Sequence, residues 1–139
     1  MDEKTYLGID FGLKRIGIAK SDPTGLIASA YKTITYNSIK KAVEEIANDI
    51  KELAVTGVVI GYPVAPDGGT RGERCKMVDD FIARLEKLYS GPIYKYDERF
   101  SSAEAEDIIH KHGKKIGRNK GRVDRMAAAL ILQRFLDER

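Results

Sequence analysis

The sequence predicts an α/β fold with a mixed five-stranded sheet, and three observations carry that prediction. Three short apolar or alternating segments come first and are separated only by turns, as in an antiparallel meander. Later apolar segments are separated by amphipathic helical segments, as parallel strands joined by crossovers would be. The chain has 139 residues, enough for one domain with its own core, so we expect a single domain over residues 1–139.

The meander is predicted over residues 6–10, 15–20 and 26–36. Residues 11–14 have turn character, and residues 21–25 combine Asp22, Pro23 and Gly25, which favour a turn through capping, a fixed φ and a positive φ. The first strand is predicted to end in a carboxylate, Asp10.

The remaining elements alternate between helix and strand. Residues 39–53 place apolar side chains on one helical face behind Ser38, a favourable N-cap. Residues 58–60 form a short apolar run typical of a buried parallel strand. A second amphipathic helix is predicted to bury Val78, Phe81, Ile82, Leu85 and Leu88, and residues 93–97 form the fifth strand.

The C-terminal part of the sequence predicts two more helices. Residues 101–104 form a capping box, Ser-Ser-Ala-Glu, which is typical of a helix start. A basic, glycine-containing loop follows, and a last helix is predicted from about Val123. This order of elements is that of a ribonuclease H-like fold, a mixed sheet with helices on both faces.

Composition excludes several classes of protein. No segment approaches the length of a membrane span, and the acidic N-terminal residues do not resemble a signal peptide. A lone Cys75 excludes an internal disulfide and fits a reducing cytoplasm, and two histidines make a structural zinc site a poor fit. We therefore expect a cytoplasmic protein with no membrane partner.

Three acids are predicted to meet at one edge of the sheet. Asp10 ends the first strand, Glu98 ends the fifth, and Asp124 opens the last helix. Clustered carboxylates repel one another, and Mg²⁺ or Mn²⁺ relieves that repulsion through oxygen ligands. Such ions can activate water against a phosphodiester, which predicts a metal-dependent nuclease. Asp97 remains an alternative to Glu98, which could instead pair with Arg99.

Basic residues near these acids predict a nucleic-acid interface. Lys14 lies in the first turn beside Asp10, Arg71 lies in a glycine-rich loop, and Arg99 follows Glu98. A stretch without acids continues from His110 into the last helix, and it supplies further groups for salt-sensitive phosphate contacts: Lys114, Lys115, Arg118, Lys120 and Arg122. Tyr62 could stack on a base, although a tyrosine at a strand end is more often packed.

Specific motifs along the whole chain resemble the YqgF family, which comprises Holliday-junction-resolvase-like proteins also described as pre-16S ribosomal RNA nucleases. These motifs are residues 8–19, Gly61-Tyr62-Pro63, residues 97–105 and Val123-Asp124. The resemblance implies a ribonuclease H-like fold, divalent metal, a structured nucleic acid and catalytic positions at Asp10, Glu98 and Asp124. Related junction resolvases carry an acid at the end of the fourth strand, where this chain has Gly61.

The expected function is therefore maturation of the 5′ end of 16S ribosomal RNA from its precursor. The alternatives are cleavage of branched DNA as a Holliday junction resolvase and a non-catalytic role as an RNA-binding ribosome assembly factor. An actin-like phosphotransferase shares the Asp-x-Gly strand end but needs two lobes, for which 139 residues are too few. The expected oligomeric state is a monomer or a weak homodimer.

Overall fold

The computed structural model describes residues 4–63, 72–97 and 120–139. Its described strands are β1 (Thr5–Phe11), β2 (Arg15–Ser21), β3 (Ala28–Thr35), β4 (Val55–Tyr62) and β5 (Ile93–Asp97). Its described helices are α1 (Ile39–Glu52), α2 (Glu73–Glu86) and α3 (Lys120–Glu138). The predicted capping-box helix lies outside the described residues.

The five strands form one mixed sheet in the order β3-β2-β1-β4-β5. The β1–β2 and β2–β3 pairs are antiparallel, and the β1–β4 and β4–β5 pairs are parallel. Helices α1 and α2 cover one face together with a large apolar core, and α3 crosses the other face. The predicted α/β fold with a five-stranded mixed sheet is confirmed.

Local sequence signals explain where α1 and β3 begin. The Ser38 hydroxyl accepts the Lys41 N–H and begins α1, as the N-cap prediction required. The Asp22 carboxylate accepts the N–H groups of Leu26 and Ile27, so these two residues are held in the turn and β3 begins only at Ala28. The third strand is therefore shorter than its sequence suggested.

The second and last helices also differ from their predicted bounds. Helix α2 ends at Glu86, and Leu88, which was expected on its buried face, is half-exposed in the following turn. That prediction was wrong because the Leu88 N–H bonds to the carbonyl of Leu85, three residues back, and tightens the chain after the helix. Helix α3 begins at Lys120, one turn before the predicted start.

Among the described residues, no helix combines the length and the apolar character needed to cross a membrane.

Candidate active site

Strand alternation directs Asp10 toward α3. On β1, Leu7, Ile9 and Phe11 lie in the core against α1 and α2, so the residues between them face the opposite side of the sheet. Tyr6 and the backbone of Gly8 meet α3 on that side. The Asp10 carboxylate therefore lies on the α3 face, where the residue is 8% exposed.

The first turns of α3 approach the sheet at Gly17. Gly17 is the cross-strand partner of Asp10. A Cβ placed on Gly17 would lie 1.9 Å from the backbone carbonyl oxygen of Asp124, so only glycine allows the helix to come this close. Asp10 and Asp124 thus reach the same part of the same sheet face. Of the three predicted acids, these are the two that the structure describes; Glu98 lies outside the described residues.

An arginine on β2 neutralises Asp124. The Arg15 Nε–H donates to the Asp124 Oδ2 at 2.6 Å, and the two side chains are 31% and 22% exposed. Arg15 lies two residues from Gly17 and therefore on the same sheet face. Neither Arg15 nor Gly17 was predicted from the sequence as a site residue. The available signal was a glycine within a strand, which often marks the close approach of another backbone.

Two further hydrogen bonds join the first turns of α3 to β3. The Thr33 hydroxyl donates to the Gly121 carbonyl at 2.5 Å, and the Arg125 Nη1 donates to the Thr33 hydroxyl at 3.2 Å. Arg122, a predicted nucleic-acid contact, is half-buried in this first part of the helix. Lys120 is the first residue of α3.

The turn between β1 and β2 carries Lys14, which is exposed. Four hydrogen bonds hold this turn. The Tyr36 hydroxyl donates to the carbonyls of Gly12 and Leu13, the Tyr36 N–H donates to the carbonyl of Lys14, and the Gly12 N–H donates to the carbonyl of Arg15. These bonds fix the backbone of the turn that carries Lys14. Arg71, Arg99, Lys114, Lys115 and Arg118 lie outside the described residues.

Gly61 lies beside Asp10 on the neighbouring strand. Ile9 and Ile60 are partners across the β1–β4 pair, so the next residue on each strand is Asp10 and Gly61. Without a side chain, Gly61 contributes no ligand on the α3 face. No group of three or more metal-ligating side chains is found within residues 4–63, 72–97 and 120–139.

Tyr62 is packed rather than available to stack on a base. It is buried, and its hydroxyl donates to the Asp79 Oδ2 at 3.0 Å. Burial is the largest cause and this bond to a carboxylate the second, and together they raise the pKa of Tyr62 to about 12. The Lys95 ammonium lies 4.7 Å from the centre of the ring and also pairs with Asp79. These contacts join the end of β4 to α2 and β5.

Comparison with known proteins identifies relatives along almost the whole chain. Residues 4–138 match the family model described as RuvX, Holliday junction resolvase. A protein from Ruminiclostridium cellulolyticum, named as a candidate pre-16S rRNA nuclease, is 42% identical over 94% of this chain and 92% of its own length. One of the same name from Crocosphaera subtropica is 43% identical over 100% of this chain and 96% of its own.

Solved structures show the same fold at low sequence identity. Thermus thermophilus RuvC in complex with a Holliday junction substrate superposes with a TM-score of 0.64 at 12% identity, covering 97% of this chain and 94% of its own. The Fowlpox virus resolvase in complex with Holliday junction DNA gives a TM-score of 0.61 at 10% identity, covering 96% and 97%. These similarities confirm the ribonuclease H-like fold.

Proposed function

Because this chain belongs to the family described as RuvX, Holliday junction resolvase, we propose that it is a metal-dependent nuclease that matures 16S ribosomal RNA from its precursor. The observation that carries the proposal is the meeting of Asp10 and Asp124 on one sheet face, which the Gly17 contact makes possible. The names of relatives at 42% and 43% identity support the choice of RNA.

Asp10 and Asp124 are the proposed metal-binding residues, with Glu98 as the third. Their oxygen donors suit Mg²⁺ or Mn²⁺, and the Asp124 carboxylate already holds a cationic group, Arg15. A bound ion of this kind would activate a water and stabilise the leaving oxygen of a phosphodiester. The protein's own part is to hold two carboxylates on a rigid sheet and helix, with Asp10 largely shielded from solvent.

The geometry of β5 supports Glu98 over Asp97 as the third acid. Tyr94 and Tyr96 contact Phe135 of α3, whereas Lys95 pairs with Asp79 of α2. By the same alternation, Asp97 faces α2, away from Asp10. The residue that follows Asp97 is therefore the better candidate.

Lys14 and Arg122 are proposed to bind the phosphates that flank the cleaved bond. Lys14 is exposed on the firm turn next to Asp10, and Arg122 precedes Asp124 in α3. The same role is proposed for the predicted cations outside the described residues: Arg71, Arg99, Lys114, Lys115, Arg118 and the side chain of Lys120. Such contacts give affinity that falls with salt and reads no sequence.

The family description also favours a second substrate, the four-way DNA junction. Cutting both strands of a junction symmetrically requires a two-fold dimer, whereas RNA maturation can be performed by a monomer. We propose one domain that acts in the cytoplasm as a monomer or weak homodimer, with precursor RNA as its main substrate.

Cleavage assays with matched variants test this function. Wild type, Asp10→Asn and Asp124→Asn are incubated with 16S precursor RNA and with a four-way DNA junction, in Mn²⁺ or EDTA. The control is Asp80→Asn, which changes an exposed acid of α2 that pairs with Arg84. We expect RNA cleavage only with metal, at least about 100-fold slower in both site variants, with binding retained and the control unaffected.

Other outcomes would change the assignment. Faster cleavage of the junction than of the RNA would make the protein a resolvase. Binding of RNA without cleavage in any condition would favour the non-catalytic assembly factor and contradict the proposed nuclease.

A further inference from the structure

The Arg15–Asp124 ion pair engages one oxygen of a carboxylate that is proposed to bind the metal. The Arg15 Nε atom lies 2.6 Å from the Asp124 Oδ2 atom, which is short for a hydrogen bond between charged groups. Both side chains are only partly exposed, so water screens this pair less than it would a surface pair. Arg15 therefore already balances the negative charge of Asp124.

A guanidinium and a metal ion both draw on the negative charge of Asp124. A metal ion brought close to this carboxylate also approaches the positive charge of Arg15, which raises the energy of the bound state. Binding of both cations to the Asp124 carboxylate at the same time therefore costs free energy. For the metal to bind tightly, Arg15 has to move or find another anion.

A phosphodiester is an anion that suits the remaining donors of the Arg15 guanidinium. Only Nε is used by Asp124, and the guanidinium has further N–H donors in a planar arrangement that fits phosphate. The residue next to it is the exposed Lys14, whose turn is fixed by Tyr36. A phosphate bound by Arg15 would therefore have a second cation on the adjacent residue.

We propose that Arg15 is a positioning residue that couples metal binding to substrate binding. Its guanidinium holds Asp124 when nucleic acid is absent and transfers to a backbone phosphate when nucleic acid binds, leaving the carboxylate to the metal. This inference rests on the proposed function, in which Asp124 is a metal ligand. By linkage, nucleic acid tightens metal binding and metal tightens nucleic-acid binding by the same factor.

A neighbouring arginine provides a matched control. Arg125 follows Asp124 in α3, and its Nη1 donates to the uncharged hydroxyl of Thr33. Arg125→Gln removes the same charge from nearly the same place without releasing a carboxylate. The difference between Arg15→Gln and Arg125→Gln therefore isolates the ion pair from the general loss of positive charge.

Calorimetric titration with Mn²⁺ alone tests the first half of the proposal. We expect Arg15→Gln to bind Mn²⁺ about fivefold more tightly than wild type, with Arg125→Gln within about twofold of wild type. Arg15→Lys keeps the charge but loses the planar donors, so its affinity for Mn²⁺ should lie between those of wild type and Arg15→Gln. This variant also tests the proposal if Arg15→Gln does not fold. Equal or weaker Mn²⁺ binding in Arg15→Gln than in Arg125→Gln would overturn the proposal.

Repeating the titration with an RNA hairpin made cleavage-resistant by phosphorothioate linkages tests the second half. The hairpin should tighten Mn²⁺ binding in wild type and in Arg125→Gln but much less in Arg15→Gln. Equal tightening in all three proteins would contradict the coupling. Asp124→Asn separates failure of the proposed metal site from failure of the role of Arg15. If Asp124→Asn binds Mn²⁺ as tightly as wild type does, Asp124 is not a metal ligand and the proposed site is wrong. If Asp124→Asn binds Mn²⁺ weakly but Arg15→Gln binds it as wild type does, only the role of Arg15 is refuted.

Discussion

The two faces of the sheet are built from different residues, and they contribute differently to stability and to the candidate site. The face that packs against α1 and α2 buries large aliphatic and aromatic side chains, among them Leu7, Ile9, Phe11, Ile16, Ile18, Ile60 and Phe81. On the face that meets α3, the strands also bury Tyr6 and Val59, but many of their residues are small or polar, including Gly8, Asp10, Arg15, Gly17, Ala19 and Gly57.

The difference explains how one small sheet can be both stable and functional. Apolar area removed from water stabilises the fold in proportion to that area, and the α1–α2 face supplies most of it. On the α3 face, glycines at positions 8 and 17 have no side chain, so the helix backbone can lie directly against the strands and bring Asp124 to the same part of the face as Asp10. Substitutions on the first face should therefore affect stability, and substitutions on the second should affect the site.

Gly17→Ala should have the largest effect, because it disrupts the close approach of α3. The new Cβ would lie 1.9 Å from the Asp124 carbonyl, so the start of the helix must move away from β2 and carry Asp124 with it. We expect at least about 100-fold loss of cleavage and markedly weaker Mn²⁺ binding, measured by turnover and by calorimetry.

Gly121→Ala is the matched control for Gly17→Ala. Its Cβ would meet the Thr33 hydroxyl at 3.5 Å, an ordinary contact, and alanine is the better helix former by about 1 kcal/mol. It should keep full activity and unfold at a slightly higher temperature. Equal activity in the two alanine variants would show that close packing at Gly17 does not position the site.

Phe81→Ala should produce the opposite pattern, a large loss of stability with little change in chemistry. Phe81 has no solvent exposure and packs against Phe11 with ring centroids 5.0 Å apart, on the face away from the acids. Replacing a buried phenylalanine by alanine costs about 3–5 kcal/mol, which urea unfolding would measure. The folded variant should cleave at close to the wild-type rate at low temperature; a loss comparable to that of Gly17→Ala would mean that the two faces are not separable.

The sequence alone predicted the fold better than the site, for physical reasons. Periodicity locates elements because burial imposes it, and the strand and helix patterns indicated every element that the structure describes. Boundaries shifted where a specific hydrogen bond intervened, as when Asp22 holds the backbone of Leu26 and Ile27. The third strand therefore began two residues late, at Ala28.

The candidate site was predicted through its acids but not through the residues that position them. Asp10 could be proposed because strand propensity poorly explains a carboxylate at the end of a buried strand. Asp124 could be proposed because it opens a helix over the same edge of the sheet and lies in a motif of the family. The ion pair of Arg15 with Asp124 joins residues 109 positions apart, and the contact at Gly17 depends on how closely α3 docks. Neither follows from local pattern, since each is a property of packing between distant elements.

The smallest of these effects should come from Lys32→Met, which tests an ion pair on the α1 side of the sheet. The Lys32 ammonium lies 2.6 Å from the buried Asp49 carboxylate and 2.8 Å from Glu45. Burial lowers the pKa of Lys32, but its ion pairs with Asp49 and Glu45 outweigh burial and leave the pKa above the usual 10.5. Since Lys32 is partly exposed, we expect its loss to cost only about 1–2 kcal/mol at neutral pH, with cleavage unaffected.

The pH dependence of that loss distinguishes the ion pair from simple packing. A lysine whose pKa is higher in the folded state contributes stability that is complete below pH 10.5 and disappears as the pH rises through the folded value. The difference in unfolding free energy between wild type and Lys32→Met should therefore shrink above pH 10.5, whereas exposed Lys40→Met should match wild type throughout. Tyr62 and Tyr96, whose pKa values burial raises to about 12, titrate in the same range, but they do so in all three proteins and cancel in the difference. A constant difference up to high pH would contradict a contribution from the charge of Lys32 and its ion pairs with Asp49 and Glu45.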